Sequence, residues 1–271
     1  MKKLLILSFL ALGYQSASAQ LILRYDFNGN ALDQSGRSNN GILWGGATYG
    51  MDRFGNSNSA LAVNTENGVI SQGNIGITGN NSFTMSIWIK PTDDPTWPNG
   101  QIMHVGDEGL AAASGTHLSL TYCPYHATDG GNWDANRFSL FLDGDGPGAA
   151  VITDPVSTLN SWSQMVVTYE ATSGAYSFYL NGNHQENNYI RWGDPQINLS
   201  DAKLRVNAKP LPNGLARGLH GLIDDVRIYD RTLSSTEAAA LYATESVPET
   251  SALSLLAVGL GGLAMLRCRR S

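Results

Sequence analysis

Cysteine is nearly missing from this 271-residue chain, which has two, Cys123 and Cys268. Cys268 falls in a basic tail and leaves Cys123 without an intrachain partner, so a disulfide framework is excluded and stability must come from a packed core. Charge is scarce too, at 15% of residues. The histidines at 104, 117, 126, 184 and 220 show no H-x-x-x-H or comparable zinc spacing. No G-x-S-x-G, P-loop or dinucleotide fingerprint occurs, which removes the hydrolases and nucleotide enzymes built on those motifs. Low-complexity tracts and collagen-like repeats are absent.

What is present is 42% hydrophobic residues and 30 glycines. That balance suits one large β domain with many turns better than two small domains or long helices.

The two ends have their own grammar. Met1 to Ala19 runs from Lys2-Lys3 through the apolar Leu4 to Gly13 to Ser16-Ala17-Ser18-Ala19, the order of a secretory signal peptide, with Gln20 the first mature residue. At the far end Val247-Pro248-Glu249-Thr250 precedes the nearly uncharged Ser251 to Leu266 and then Arg267-Cys268-Arg269-Arg270. Residues 251–266 are slightly short of the roughly 20 that span a bilayer, a gap that arginine snorkelling closes. The arginines would stay cytoplasmic and leave the large domain outside. This tripartite end resembles the PEP-CTERM sorting signal of bacterial surface proteins. The resemblance implies recognition by an exosortase-type enzyme at Val247, Pro248 and Glu249, passing anchorage in the inner membrane, and release to the cell surface or extracellular matrix. Thr250 stands where that motif has its second proline, and a plain membrane anchor is the alternative.

Up to Thr250 and without the signal, the chain keeps 12 of its 17 basic residues against all 23 acidic ones, a net of −11. Such a surface repels nucleic acid and accommodates divalent cations.

The domain between the ends is organised around Gly221-Leu222-Ile223-Asp224-Asp225-Val226-Arg227-Ile228-Tyr229. Strict alternation puts Leu222, Asp224, Val226 and Ile228 on one face of a strand and Ile223, Asp225, Arg227 and Tyr229 on the other. Asp224 would then share a face with aliphatic side chains, where a carboxylate has to be paired, hydrogen-bonded or bound to a metal. Ser234 and Glu237 follow with the S-x-x-E spacing of a capping box, opening a short helix through Ala238, Leu241 and Tyr242. This strand, the short link and L-S-x-x-E resemble the end of a LamG-like jelly roll of the concanavalin A-like lectin and glucanase superfamily. Two further stretches are similar to it: Tyr25 to Gly41, beginning Tyr-Asp-Phe-Asn-Gly-Asn, and Phe83 to Lys90, in which Phe83, Met85, Ile87 and Ile89 share a face opposite Trp88. The resemblance implies an all-β, two-sheet antiparallel sandwich over residues 20–245. The short helix closes that domain, and a separate transmembrane helix at 251–266 lies within the sorting segment 246–271.

Read in order, Leu21, Leu23, Tyr25 and Phe27 point inward from a first strand, with Arg24 and Asp26 outward. Further strands fall at 59–63, 68–71, 101–106, 116–122, 137–143, 162–170, 175–180 and 204–207. Residues 162–170 and 175–180 form a hairpin, and Asn181-Gly182 turns the chain onward. The loop Asn28 to Gly41 is rich in side-chain and backbone oxygens, the donors calcium prefers. First and last strands of such jelly rolls lie close together, so Asp26, Asp33 and Asp224 are the candidate ligands of a structural calcium ion. Asp33 and Ser35 can equally well hydrogen-bond their own loop.

Superfamily glucanases carry an E-x-D-x-x-E strand, which is absent here. Asp93-Asp94 and Asp107-Glu108 are adjacent pairs whose side chains diverge in a strand, unlike the roughly 5 Å carboxylate pair of a retaining glycosidase. The sequence therefore points to a non-catalytic, surface-displayed binding or adhesion module for extracellular polysaccharide. Trp97, Trp133, Tyr189 and Trp192, all in aromatic loops, are the candidates to stack on sugar rings. A divergent glycan hydrolase or lyase using Asp129 and Asp134, or a purely structural surface or biofilm protein, are the alternatives.

Overall fold

A computed structural model of the chain describes residues 19–77, 81–92, 100–106, 118–123, 137–142, 150–152, 159–185, 188–190, 203–207, 209–210 and 216–248. Its strands are β1 (Leu21–Tyr25), β2 (Gly41–Trp44), β3 (Thr48–Gly50), β4 (Ala60–Val63), β5 (Gly68–Ser71), β6 (Phe83–Pro91), β7 (Gly100–Gly106), β8 (Leu118–Cys123) and β9 (Arg137–Leu142). They continue with β10 (Ala150–Ile152), β11 (Ser163–Glu170), β12 (Ala175–Leu180), β13 (Asn183–Gln185), β14 (Asn188–Ile190), β15 (Lys203–Val206), β16 (Lys209–Pro210), β17 (Ala216–Arg217) and β18 (Gly221–Tyr229). Helix α1 (Ser235–Glu245) follows.

Two antiparallel sheets make the sandwich. The first runs β13-β12-β11-β6-β18-β4-β3, with β1 also on β18; the second runs β14-β10-β9-β8-β7-β15-β5-β2. Between them lie Phe83, Met85, Ile87 and Ile89 of β6, Met165 and Val167 of β11, and Met103, Val105, Leu118 and Leu120 of the second sheet. The period-two pattern of β6 is thus a true reading of its faces. Removing side chains of this size from water contributes roughly 1.5–3 kcal/mol each, which is what a chain without disulfides depends on.

The 163–180 hairpin forms as its sequence predicts. Asn181 (φ 49°) and Gly182 (φ 75°) then make a two-residue turn, with Leu180 opposite Asn183. Both positions require positive φ, which asparagine and glycine tolerate best.

β1 and β18 depart from strict alternation. The register of β1 on β18 shifts between Leu21 and Leu23, so Ile22 is buried and Leu21 only half-buried, contrary to the inward position expected of Leu21. In β18, Asp224 lies opposite Trp88 and Arg227 opposite Ser86, three steps against two, and Asp225 adopts φ 43°. One extra residue is accommodated as a β-bulge, and the faces exchange beyond it. Ile223, Val226 and Ile228 enter the core. Asp224 does not share their face. It lies with Leu222 and Arg227 on the outer side of the first sheet.

Helix α1 covers part of that outer side. Ser234 and Glu237 complete the capping box. Ala238 and Leu241 pack on Val166 and Tyr179.

Among the described residues no helix is long and apolar enough to cross a membrane. Residues 1–18 and 249–271, which hold most of the expected signal and the expected anchor, lie outside them.

Candidate functional site

The bulge marks a change of partner along one edge of β18. Gly221 to Ile223 pair with β4, and Val226 to Tyr229 pair with β1. Asp224 and Asp225 sit at the junction, where β-ladder hydrogen bonding passes from one neighbour to the other.

The carboxylates there are met by Arg53, from the loop between β3 and β4. Its Nη1 is 2.6 Å from Asp224 Oδ2 and its Nη2 2.5 Å from Asp225 Oδ2. Its Nε donates to the backbone carbonyl of Glu245 at 2.9 Å, satisfying one of the acceptors that a helix leaves open at its C-terminus. The guanidinium lies 4.5 Å from the Phe54 ring centroid and 4.6 Å from that of Trp88, so cation–π contacts cover it. The loop that carries Arg53 is held in shape by Asp52, whose Oδ1 accepts from the amides of Phe54 and Asn56, both at 2.8 Å.

The polar network continues under the helix. Arg227 donates to Asp225 Oδ1 at 3.1 Å and pairs with Glu245 Oε1. Glu245 Oε2 accepts from Trp88 Nε1 and Gln164 Nε2, both at 2.6 Å. A carboxylate at a helix C-terminus opposes the helix dipole, and Arg227 compensates it. Trp88 also stacks on Tyr242 with ring centroids 5.6 Å apart, so this tryptophan is a packing residue. Along the network carboxyl and guanidinium groups alternate in the order Asp224, Arg53, Asp225, Arg227, Glu245, so three acids share two cations and one acid holds a proton most readily.

Burial governs the titration of these groups. It pushes the Asp224 carboxyl up to about 8, with the neighbouring Asp225 charge adding and Arg53 opposing. It also raises Glu245 and Asp26, against the pull of Arg227 on the first and Arg24 on the second. Asp33 goes the other way. Burial would raise it, but hydrogen bonds from Ser35, Asn39 and Arg24 outweigh that and hold it below the usual carboxylate range.

A pocket of about 430 Å³ opens at the junction, lined by Asp26, Asn28, Asp52, Arg53, Phe54, Asn56, Asp224, Asp225 and Pro248. It brings Asp26 and Asp224 together and leaves Asp33 out. Asp33 Oδ1 accepts from the amides of Arg24 (3.0 Å) and Ser35 (2.9 Å), and its Oδ2 from Ser35 Oγ (2.9 Å) and the Asn39 amide (3.0 Å). Asp26 pairs with Arg24 at 2.5 Å. Of the expected calcium ligands, Asp26 and Asp224 thus meet in the pocket and Asp33 does not, and each of the three already has donors from the chain. Among the described residues no group of three or more His, Cys, Asp or Glu side chains is arranged to hold a metal.

Trp97, Trp133 and Trp192 lie outside the described residues, as do Asp93, Asp94, Asp107, Glu108, Asp129 and Asp134. Tyr189 belongs to β14, the edge strand of the second sheet, opposite Val151. Of the expected sorting motif, Val247 is 42% exposed, Pro248 lines the pocket, and Glu249 falls outside. Sequence reasoning passed over Arg53. The signal that points to it is Asp224 itself, a carboxylate in need of a cation.

A family model described as the concanavalin A-like lectin/glucanases superfamily matches residues 57–239. Among solved structures, the chain resembles domain 4 of a GH43 extracellular arabinanase from Geobacillus stearothermophilus, in complex with arabinotriose. The TM-score is 0.59 at 19% identity, over 83% of this chain and 98% of that one. It also resembles the botulinum neurotoxin serotype D ligand-binding domain in complex with N-acetylneuraminic acid, with TM-score 0.57 and 15% identity over 83% of this chain and 51% of that one. The botulinum neurotoxin type G receptor-binding domain gives TM-score 0.54 and 14% identity over 83% and 51%. The chain thus spans about half the length of the toxin domains. At these identities the likeness is one of fold. No curated protein matches the chain in sequence.

Proposed function

Because the chain belongs to the concanavalin A-like lectin/glucanase superfamily, shown by a match over residues 57–239, we propose that it is a non-catalytic binding module for extracellular polysaccharide. The observation that carries this reading is the correspondence with the arabinanase domain, which covers 98% of that domain and was seen with arabinotriose bound. A whole-domain match to a sugar-bound module supports binding by a fold that otherwise hosts many activities. The absence of an E-x-D-x-x-E strand from the sequence supports the non-catalytic half of the proposal. So does the way the carboxyl groups of the junction are committed, since Asp224, Asp225 and Glu245 each lie against an arginine. The sugar-stacking residues in this reading are Trp97, Trp133, Tyr189 and Trp192.

The test is a glycan array of neutral and acidic polysaccharides, run beside an assay for released reducing ends. Retention of a polysaccharide without new reducing ends is the expected result. Chain cleavage would establish an enzyme, and a blank array would leave a structural surface protein.

The same proposal includes export by the segment 1–19 and sorting through Val247, Pro248 and Glu249 by an exosortase-type enzyme, with passing anchorage in the inner membrane by residues 251–266. Mass spectrometry of the surface fraction decides it: a mature chain that still ends at Ser271 refutes processing.

A further inference from the structure

The junction between β4 and β1 on β18 gathers carboxylates that need a positive partner, and the donor set does not fit a metal. We propose that Arg53 is the domain's own cation, doing at this junction what a bound divalent ion would do, so that joining the β3–β4 loop to β18 and to the end of α1 requires no metal.

Three features of Arg53 carry the inference. Its fork reaches both carboxylates of the bulge, at 2.6 and 2.5 Å, a planar two-carboxylate arrangement that guanidinium suits and ammonium does not. Its side chain is 8% exposed and the Phe54 and Trp88 rings cover the guanidinium, so the charge is only weakly screened by solvent. Its third nitrogen reaches the last carbonyl of α1, so one side chain ties the β3–β4 loop, β18 and the helix end across separations of 171, 172 and 192 residues. Calcium would need six to eight oxygens at one point. Here Asp224 Oδ1 accepts from the Asp225 amide at 2.9 Å, Asp26 turns to Arg24, and Asp33 is spent on its own loop. The carboxylates are answered by arginines from within the chain.

Thermal melting of the full-length protein in calcium and in EDTA tests this, alongside Arg53→Met and Arg53→Lys. The wild type should melt at the same temperature in both buffers. Arg53→Met, which keeps the volume and drops the charge, should melt lower by roughly 6–20 °C, the scale for stranding a buried ion pair in a domain of this size. Arg53→Lys should recover less than half of that loss, since one ammonium cannot span two carboxylates. A wild-type melting point that falls in EDTA and returns with calcium overturns the proposal. So does Arg53→Met melting with the wild type. If Arg53→Met does not fold, the two-buffer comparison on the wild type and the Arg53→Lys melt still decide.

Discussion

Glu245 is the residue whose removal most directly probes how α1 is held. The residue is 5% exposed, its Oε2 accepts from Trp88 Nε1 and Gln164 Nε2, and its Oε1 pairs with Arg227. Glu245→Ala strands Arg227 with Asp225 as its remaining carboxylate and leaves the Trp88 and Gln164 donors without an acceptor. Breaking a buried pair from one side costs about 3–5 kcal/mol. For a domain of this length each kcal/mol moves the melting point by roughly 2–4 °C, so a fall of about 6–20 °C is expected. Ser234→Ala provides the internal scale. It removes the N-cap of the same helix, typically about 1 kcal/mol, without touching the buried network. Near-ultraviolet circular dichroism is the fitting probe, because the Trp88–Tyr242 stack reports the docked helix. A Glu245→Ala melting point no lower than that of Ser234→Ala would refute the reasoning and leave the apolar contacts of Ala238 and Leu241 as the helix's anchor.

Two other outcomes follow from the same geometry. The Asp224 carboxyl stands at about 8 in the fold, above the value near 3.9 of an unfolded aspartate. Its contribution to stability is therefore full below about pH 4 and is lost as pH rises towards about 8, so urea midpoints of the wild type should fall across that window and those of Asp224→Asn should fall less; parallel profiles would sink the assignment. Trp88→Phe keeps a ring over Arg53 and against Tyr242 but loses the donor to Glu245, and should cost about 1.5–3 kcal/mol by denaturant melting, the scale for a hydrogen bond to a charged group; a neutral result would mean that bond contributes nothing net.

The parts of the fold legible in the sequence are those governed by a local rule. Phe83, Met85, Ile87 and Ile89 alternate because β6 is regular and central, Asn181-Gly182 turns because its two positions need positive φ, and Ser234 with Glu237 caps because the spacing closes two hydrogen bonds. The bulge was not legible. Period-two counting carries an error in parity past any inserted residue, and an aspartate at φ 43° leaves no mark beyond its being a residue that tolerates that conformation. β3 and β13 have three residues each, too few for alternation to register. The site was half legible. Alternation singled out Asp224 by placing it among aliphatic residues, a placement the bulge overturns, and its need for a partner comes instead from burial on the outer side; the Asp-Arg-Phe-Gly-Asn stretch at 52–56 reads as a turn, and an arginine in a turn is ordinarily solvated. What buries this one is the three-dimensional meeting of that turn with β18 and the end of α1.

The place of β18 has a consequence for how the molecule comes into being. This strand is the last to be synthesised, yet it lies inside the first sheet, with β6 on one edge and both β4 and β1 on the other. Gln20, beside β1, meets Asp230 across 210 positions of sequence. Contacts of such span pay a large loop-closure entropy before they return anything, which makes folding slow. The β3–β4 pair and β1 must wait for nearly the whole chain before β18 joins them to the middle of the sheet. Until residues 221–229 arrive, the edges of β4 and β1 that they cover stay open to pairing with another strand.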